Sequence, residues 1–347
     1  MAAKTVQTRA NTRLEDIARQ LGLSVSTVSR ALAGHPAISA ATRESVQAAA
    51  AELGYRVPSQ GMRRSQRNPT KMVGVVVGAL HNRFMTLLLE HLHDALQEAG
   101  YQLTLLIDSM RDPEQLLAFR PLIEGYLDGM IFATSSLDSP VVAELRRRGL
   151  PLVLVVRSVD GVEVDTVEVD NVQAGIEAAR HLWELGHRRI GLVMGPQNTS
   201  TSRDRFRGCM QFLGENGVAA DDVAVAWGEY TNESGYSNTM KLLTQGVTAI
   251  AAANDTLALG VLEAARRRGI AVPQQLSVIG FDDIPMAGSP LVNLTTIRQP
   301  VAAMARTAAA RLVDRMKPGG QVLPVVRELL PIQLIRRDTT GPAPGGM

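Results

Sequence analysis

Residues 12–34, TRLEDIARQLGLSVSTVSRALAG, carry the pattern from which the rest of the chain is read. Thr12 and Glu15 stand at the T-x-x-E spacing of a capping box, which satisfies free backbone donors at a helix start. Leu14, Ile17, Ala18 and Leu21 follow at i, i+3, i+4 and i+7, one apolar stripe along one helix face. Gly22 permits a turn, Ser24 can cap a second helix, and Val28 and Leu32 point back onto the first. Val25, Ser26, Ser29 and Arg30 are left facing outward. A face of short side chains ending in one arginine suits entry into a DNA major groove.

A third helix is expected from Ser39 to Gly54, with Val46, Ala49, Ala50 and Leu53 as its apolar face. Residues 56–71, RVPSQGMRRSQRNPTK, are basic and polar with Pro and Gly, the composition of a linker. The overall charge of +2 conceals an asymmetry. Residues 1–71 hold 11 Lys/Arg against 4 Asp/Glu, and the remainder holds 25 against 30. A basic head on a mildly acidic body points to a polyanionic partner for the head.

From Met72 onward, apolar runs alternate with helical stretches: MVGVVVGAL, YQLTLLID, GMIFAT, LPLVLVV, RIGLVMG, VTAIAAAND and LSVIGFDD. Runs that are apolar throughout and spaced by helices indicate parallel sheets buried on both faces. An interruption around residues 157–170 favours two sheets over one. With 347 residues, 45% apolar and 20% charged, the chain has ample material for such cores. MAAKTVQTRAN lacks the apolar run of a signal peptide, and no uncharged apolar run reaches membrane length, so a cytoplasmic protein is expected. Cys209 is the single cysteine, which excludes an intrachain disulfide and a cysteine zinc site.

Other apparent motifs have plainer readings. MVGVVVGAL lacks G-x-G-x-x-G, so dinucleotide binding is unsupported. His91 and His93, two apart on a helix, point in different directions and make a poor metal pair. Asp282 and Asp283 are adjacent and lack a Ser/His or Cys/His partner pattern, which argues against a catalytic centre. Arg146–Arg148 and Arg266–Arg268 end helices, where positive charge complements the dipole. No enzyme activity, cofactor or metal is expected.

The ordered set of motifs resembles the LacI/GalR family of repressors over nearly the whole chain. In the head the resembling residues are Asp16-Ile17-Ala18, Gly22-Leu23-Ser24, Thr27-Val28-Ser29-Arg30-Ala31-Leu32, Ile38-Ser39, Thr42-Arg43 and Glu52-Leu53-Gly54-Tyr55. In the body they are Asn82-Arg83-Phe84, Asp170-Asn171, Gly186-His187-Arg188-Arg189-Ile190, Arg205 with Gly208, Asn254-Asp255, Gly280-Phe281-Asp282-Asp283 and Leu294-Thr295-Thr296-Ile297. The resemblance implies an α/β protein: an all-α helix-turn-helix head over 1–56, a hinge over 57–71, and a body over 72–340. That body comprises two Rossmann-like parallel-sheet subdomains similar to periplasmic binding proteins. The chain would cross between them near Glu168, Arg298 and Arg327, giving subdomains of 72–167 plus 299–326 and 168–298 plus 327–340, then a tail over 341–347.

The resemblance also implies a transcription regulator. Repression is the commoner behaviour in the family, and a homodimer binds a near-palindromic double-stranded operator. The C-terminal end carries no leucine heptad, so a dimer rather than a tetramer is expected. Val25, Ser26 and Arg30 match the base-reading positions, while Ser24, Thr27 and Ser29 would position phosphates. The hinge departs from the family pattern. Pro58 sits three residues after Tyr55, and Met62, Arg63 and Arg64 occupy the region where a DNA-wedging leucine is usual.

Ligands of parallel α/β domains lie at the carboxyl ends of strands. The candidates are therefore Asn82, Phe84 and Met85; Arg157; Thr199, Thr201, Arg203 and Arg205; Asn254; and Asp282. By resemblance, Arg205 and Asp282 anchor a small effector, and Phe84 would stack on a sugar ring. Val156 stands where many relatives place an aspartate, which tilts the pocket from a neutral sugar towards a sugar acid or sugar phosphate. The competing reading is a solute-binding protein, which would need an export signal and have no use for the basic head.

Overall fold

The computed structural model describes residues 14–32, 38–53, 69–78, 80–108, 120–317 and 323–344. The chain divides into two units, Met1–Arg67 and Asn68–Met347. In the first, three helices are α1 (Leu14–Leu21), α2 (Val25–Leu32) and α3 (Ala40–Glu52). Ile17 and Ala18 from α1, Val28 and Ala31 from α2, and Val46, Ala49 and Ala50 from α3 form one buried cluster. Thr12 and the hinge residues Met62, Arg63 and Arg64 lie outside the described residues.

Among the described residues the second unit forms two six-stranded sheets. The first is ordered β11-β5-β4-β3-β1-β2: Arg327–Leu330, Asp165–Val169, Leu152–Val155, Gly129–Phe132, Met72–Val77 and Gln102–Ile107. All its pairs are parallel. The second is ordered β12-β10-β9-β8-β6-β7: Gln333–Ile335, Thr295–Arg298, Ser277–Asp282, Ala249–Ala252, Ile190–Met194 and Ala224–Trp227. It is parallel except for the β10–β12 pair. Helices of the first half are α4 (Arg83–Glu98), α5 (Arg120–Tyr126) and α6 (Pro140–Arg147). Those that follow are α7 (Asn171–Glu184), α8 (Ser200–Glu215), α9 (Asn232–Leu243), α10 (Asp255–Arg267) and α11 (Val301–Met316).

The chain passes between the sheets at Asp170, at Gln299–Pro300 and at Pro331–Ile332. The first two points adjoin Glu168 and Arg298. The third corrects the expectation at Arg327, because Arg327–Leu330 runs parallel to β5 as an edge strand of the first sheet. Glu168 and Val169 likewise belong to the first sheet rather than the second. The physical reason is electrostatic. Buried Glu168 accepts from Arg327 Nε at 2.7 Å, and Asp165 accepts from Val326 N at 2.8 Å and Arg315 Nε at 2.7 Å. Those arginines neutralise two carboxylates inside β5 and dock the returning strand against it. The interruption expected around 157–170 thus ends in a strand, one that its charges disguise.

Helices α7 and α8 meet through two glycines. A Cβ on Gly175 would lie 2.1 Å from the Arg205 carbonyl, and one on Gly208 would lie 2.0 Å from that of Val172. Only glycine permits backbones so close. This contact fixes α8 and therefore the direction in which its first turns project.

Candidate effector cleft and groove-reading helix

The carboxyl ends of strands from both sheets converge on a narrow cleft. Asn82, Phe84, Met85, Arg157, Thr201, Arg205, Asn254 and Asp282 line it, together with Val156, Tyr230 and Gln299.

On the side of the first sheet, Asn82 caps α4 by accepting from Phe84 N at 3.1 Å. Phe84 and Met85 follow directly and are buried. Arg157 leaves the end of β4 just after Val156, whose φ of 73° is costly for a β-branched residue. The buried Arg157 guanidinium donates from Nη1 to Thr134 Oγ1 at 3.0 Å and lies 5.7 Å from the centre of the Tyr230 ring. Burial and the positive charge of Arg205 pull its pKa down, against Tyr230 and Glu229.

On the other side, Arg205 is 5% exposed and lies flat on Phe281, 3.4 Å from its ring centre. It donates from Nε to Asn171 Oδ1 at 2.9 Å and from Nη1 to the Ala253 carbonyl at 2.6 Å. Neither bond goes to Asp282, and among the described residues three of the five guanidinium N–H groups are left for another acceptor. Asn254 caps α10 by accepting from Leu257 N at 2.9 Å. Asp282 ends β9 at φ 122°, and burial pushes its carboxyl up to about 7, against the pull of Arg205 and Gln299. Behind it, burial and the charge of Asp282 also raise the fully buried Asp255, although Thr296 Oγ1 and Ile284 N donate to it at 2.6 and 2.9 Å.

Gln299 and Tyr230 are the cleft residues that the sequence reading missed. Gln299 donates from Nε2 to Asp282 Oδ1 at 2.7 Å, while its buried Oε1 has no hydrogen-bond partner among the described residues. Tyr230 Oη bonds Ser202 Oγ at 2.7 Å and Thr201 Oγ1 at 3.1 Å. Both follow short strands, β10 and β7, that the apolar-run criterion passed over. The strand-end rule that found Asn254 would have found them too.

Two expected cleft residues lie elsewhere. Thr199 is the N-cap of α8, accepting from Ser202 N at 3.4 Å, and does not line the cleft. Arg203 is 39% exposed and ion-paired with Asp160 at 2.7 Å and Asp204 at 2.8 Å. Helical geometry explains the split. Thr201 and Arg205, four apart, share one face, whereas Arg203 points from another.

In the head, Ser24 caps α2, accepting from Thr27 N at 3.1 Å, and its Oγ also bonds Ser26 Oγ and Thr27 Oγ1 at 2.8 Å. Val25, Ser26 and Arg30 are exposed, Thr27 and Ser29 half-buried, and Val28 buried. This is a rigid helix start with a short-side-chain outer face. Among the described residues no helix is long and apolar enough to cross a membrane, and no cluster of His, Cys, Asp and Glu could hold a metal ion.

Comparison with known proteins identifies the two parts of the chain. Residues 13–58 match the family described as bacterial regulatory proteins, lacI family, and residues 179–340 match a periplasmic binding protein-like domain. The HTH-type transcriptional repressor CytR of Escherichia coli (strain K12) is 34% identical over 347 residues, covering 99% of this chain and 100% of that protein. Among solved structures, a transcriptional regulator CelR–cellobiose complex superposes with a TM-score of 0.72 at 31% identity, covering 94% of this chain and 99% of that one. A lac repressor dimer bound to operator and the anti-inducer ONPF gives 0.70 at 27% identity, covering 96% and 100%. Similar over its full length to the CytR repressor and matching the lacI family in its head, this chain belongs to the lacI family of bacterial regulatory proteins.

Proposed function

We propose that this protein is a homodimeric, cytoplasmic, DNA-binding transcriptional repressor whose operator affinity is set by a small sugar or sugar-acid effector in the cleft. Val25, Ser26 and Arg30 read base edges, and Ser24, Thr27 and Ser29 hold phosphates. The observation that carries the effector reading is a pair of unspent polar groups in one buried cleft. Among the described residues Arg205 donates only two hydrogen bonds, and buried Gln299 Oε1 accepts none. Buried polar groups are normally satisfied, so these await a ligand rich in both hydroxyls and acceptors. A sugar supplies hydroxyls to Gln299 and Asp282. A carboxylate or phosphate on it would meet Arg205 and Arg157. The solved cellobiose complex of a similar regulator and the operator-bound lac repressor dimer support the reading.

The mechanism is a population shift between open and closed clefts. Each state holds the two heads of the dimer differently, so an effector that prefers one state changes operator affinity. A coupling of about 1–3 kcal/mol gives roughly 5–150-fold regulation. The test is selection of genomic fragments, at near-physiological salt, by the full chain and by its Arg30→Ala variant. Enrichment of one near-palindromic site by the wild type, lost in the variant, supports the repressor, and the genes beside that site nominate effectors. Recovery of no shared site by the wild type, or only salt-labile binding without one, overturns it, whereas equal enrichment of one site by both removes only Arg30 from the reading face.

A further inference from the structure

The spacing within α8 separates two tasks. Thr201 and Arg205 face the cleft, while Ser200 and Arg203, three apart, face loops of the first sheet. Three contacts join the subdomains there. Leu137 N donates to the Asn198 carbonyl at 2.8 Å, Ser158 N donates to Ser200 Oγ at 3.0 Å, and Arg203 Nη1 donates to Asp160 Oδ2 at 2.7 Å. The partners on the second subdomain all sit on the turn into α8. Those on the first sit on two loops stitched together by Asp160 N donating to the Leu137 carbonyl at 2.7 Å. These loops follow β3 and β4, and the turn follows β6, which stands fifth of six from the edge where β12 and β10 carry two of the three crossings; the first crossing, at Asp170, leads through α7 into β6. The contacts are two hydrogen bonds and one ion pair between the subdomains, so a movement that parts these loops from the turn into α8 breaks them.

We propose that Arg203 and Asp160 are the charged catch of a clasp that biases the ligand-free cleft towards closure. Asp204 prepares the catch. It accepts from Arg203 Nε at 2.8 Å and Nη2 at 3.3 Å, so the guanidinium is already oriented when Asp160 arrives. A fork ordered in advance loses less side-chain entropy on gaining its second partner. The regulatory meaning of the clasp rests on the cleft being the effector site, because the clasp opposes an effector that prefers the open cleft and reinforces one that the closed cleft encloses.

Hydrogen–deuterium exchange on the full chain tests the clasp without a ligand. The Leu137 and Ser158 amides donate across the cleft and exchange when it opens, whereas the Asp160 amide bonds within its own subdomain and serves as control. Arg203→Gln is expected to speed exchange at Leu137 and Ser158 about two- to five-fold, the range for an exposed ion pair, with Asp160 unchanged. Asp160→Asn should do the same, the double variant should be no faster than either single, and Arg203→Lys should retain most of the protection. Salt at about 0.5 M should bring the wild type towards the variants. Unchanged exchange in Asp160→Asn, or additive effects in the double variant, overturns the clasp and leaves Arg203 a partner of Asp204 alone. A cleft that takes no sugar would overturn the proposed function but not this result.

Discussion

Two helix starts in this protein are built from nearly the same letters. Ser24-Val25-Ser26-Thr27-Val28-Ser29-Arg30 opens α2, and Thr199-Ser200-Thr201-Ser202-Arg203-Asp204-Arg205 opens α8. In both, a hydroxyl residue caps the helix by accepting from the amide three residues on, and an arginine follows six residues after the cap. Their surroundings reverse their meaning. The α2 hydroxyls and Arg30 stand at the surface of a three-helix unit, where they cost little and are available to a large external partner. Those of α8 are buried between two sheets, where each must find a partner inside the protein or wait for a ligand. Identical local chemistry makes an external reader in one place and a lined cavity in the other.

The sharpest way to break this comparison is to remove both arginines. Arg205→Ala strands Asn171 Oδ1 and the Ala253 carbonyl in a buried site, each at about 1–3 kcal/mol. Unfolding in urea should show a loss of about 2–5 kcal/mol. Arg30→Ala is expected to stay within about 0.5 kcal/mol of wild type in the same assay. A similar loss in both variants would erase the distinction between exposed and buried helix starts.

A second, smaller effect sharpens it from the other side. Arg30→Ala should cost about 1–3 kcal/mol of discrimination between operator and mismatched DNA, the range for one base-reading pair. Competition binding would register this as a selectivity loss with little change in non-specific affinity. Retained selectivity would remove Arg30 from the reading face.

The smallest effect concerns the acid that faces Arg205. The Asp282 carboxyl, held at about 7, lies above the ordinary aspartate value of about 3.9. The fold therefore favours its protonated form. The stability this confers is fully present below about pH 4 and is lost as pH rises through about 7. Asp282→Asn should gain on the wild type over that window, measured as the difference in melting temperature from about pH 5 to pH 8. His181, which burial pulls down to about 4, gives the opposite slope on the acid side, but it does so in both proteins and cancels in the difference. A difference that is flat with pH would show that Asp282 titrates normally.

Legibility in the sequence followed the range of the interactions. The head was readable almost residue by residue, because its apolar stripe and its cap at Ser24 are local and leave the same faces buried or exposed that the structure shows. Strands β1, β6, β8 and β9 were readable as runs apolar on both faces. β5 was not, since Asp165 and Glu168 interrupt it and the arginines that neutralise them lie 150 and 159 positions away. The same remote pairing moved the third crossing from Arg327 to Pro331–Ile332. In the cleft, strand-end residues after long apolar runs were found, but Tyr230 and Gln299, after the short strands β7 and β10, were not.

What the sequence determined by itself was therefore the head, its outward face and the alternation that makes a two-sheet body, because helix caps and apolar periodicity act within a few residues. Only the tertiary structure decided which polar residues of α8 face the cleft and which meet the loops of the first sheet, and that Gln299 Oε1, unpaired among the described residues, lies beside Asp282. Burial and partner distance set those roles, and both depend on segments far apart in the chain.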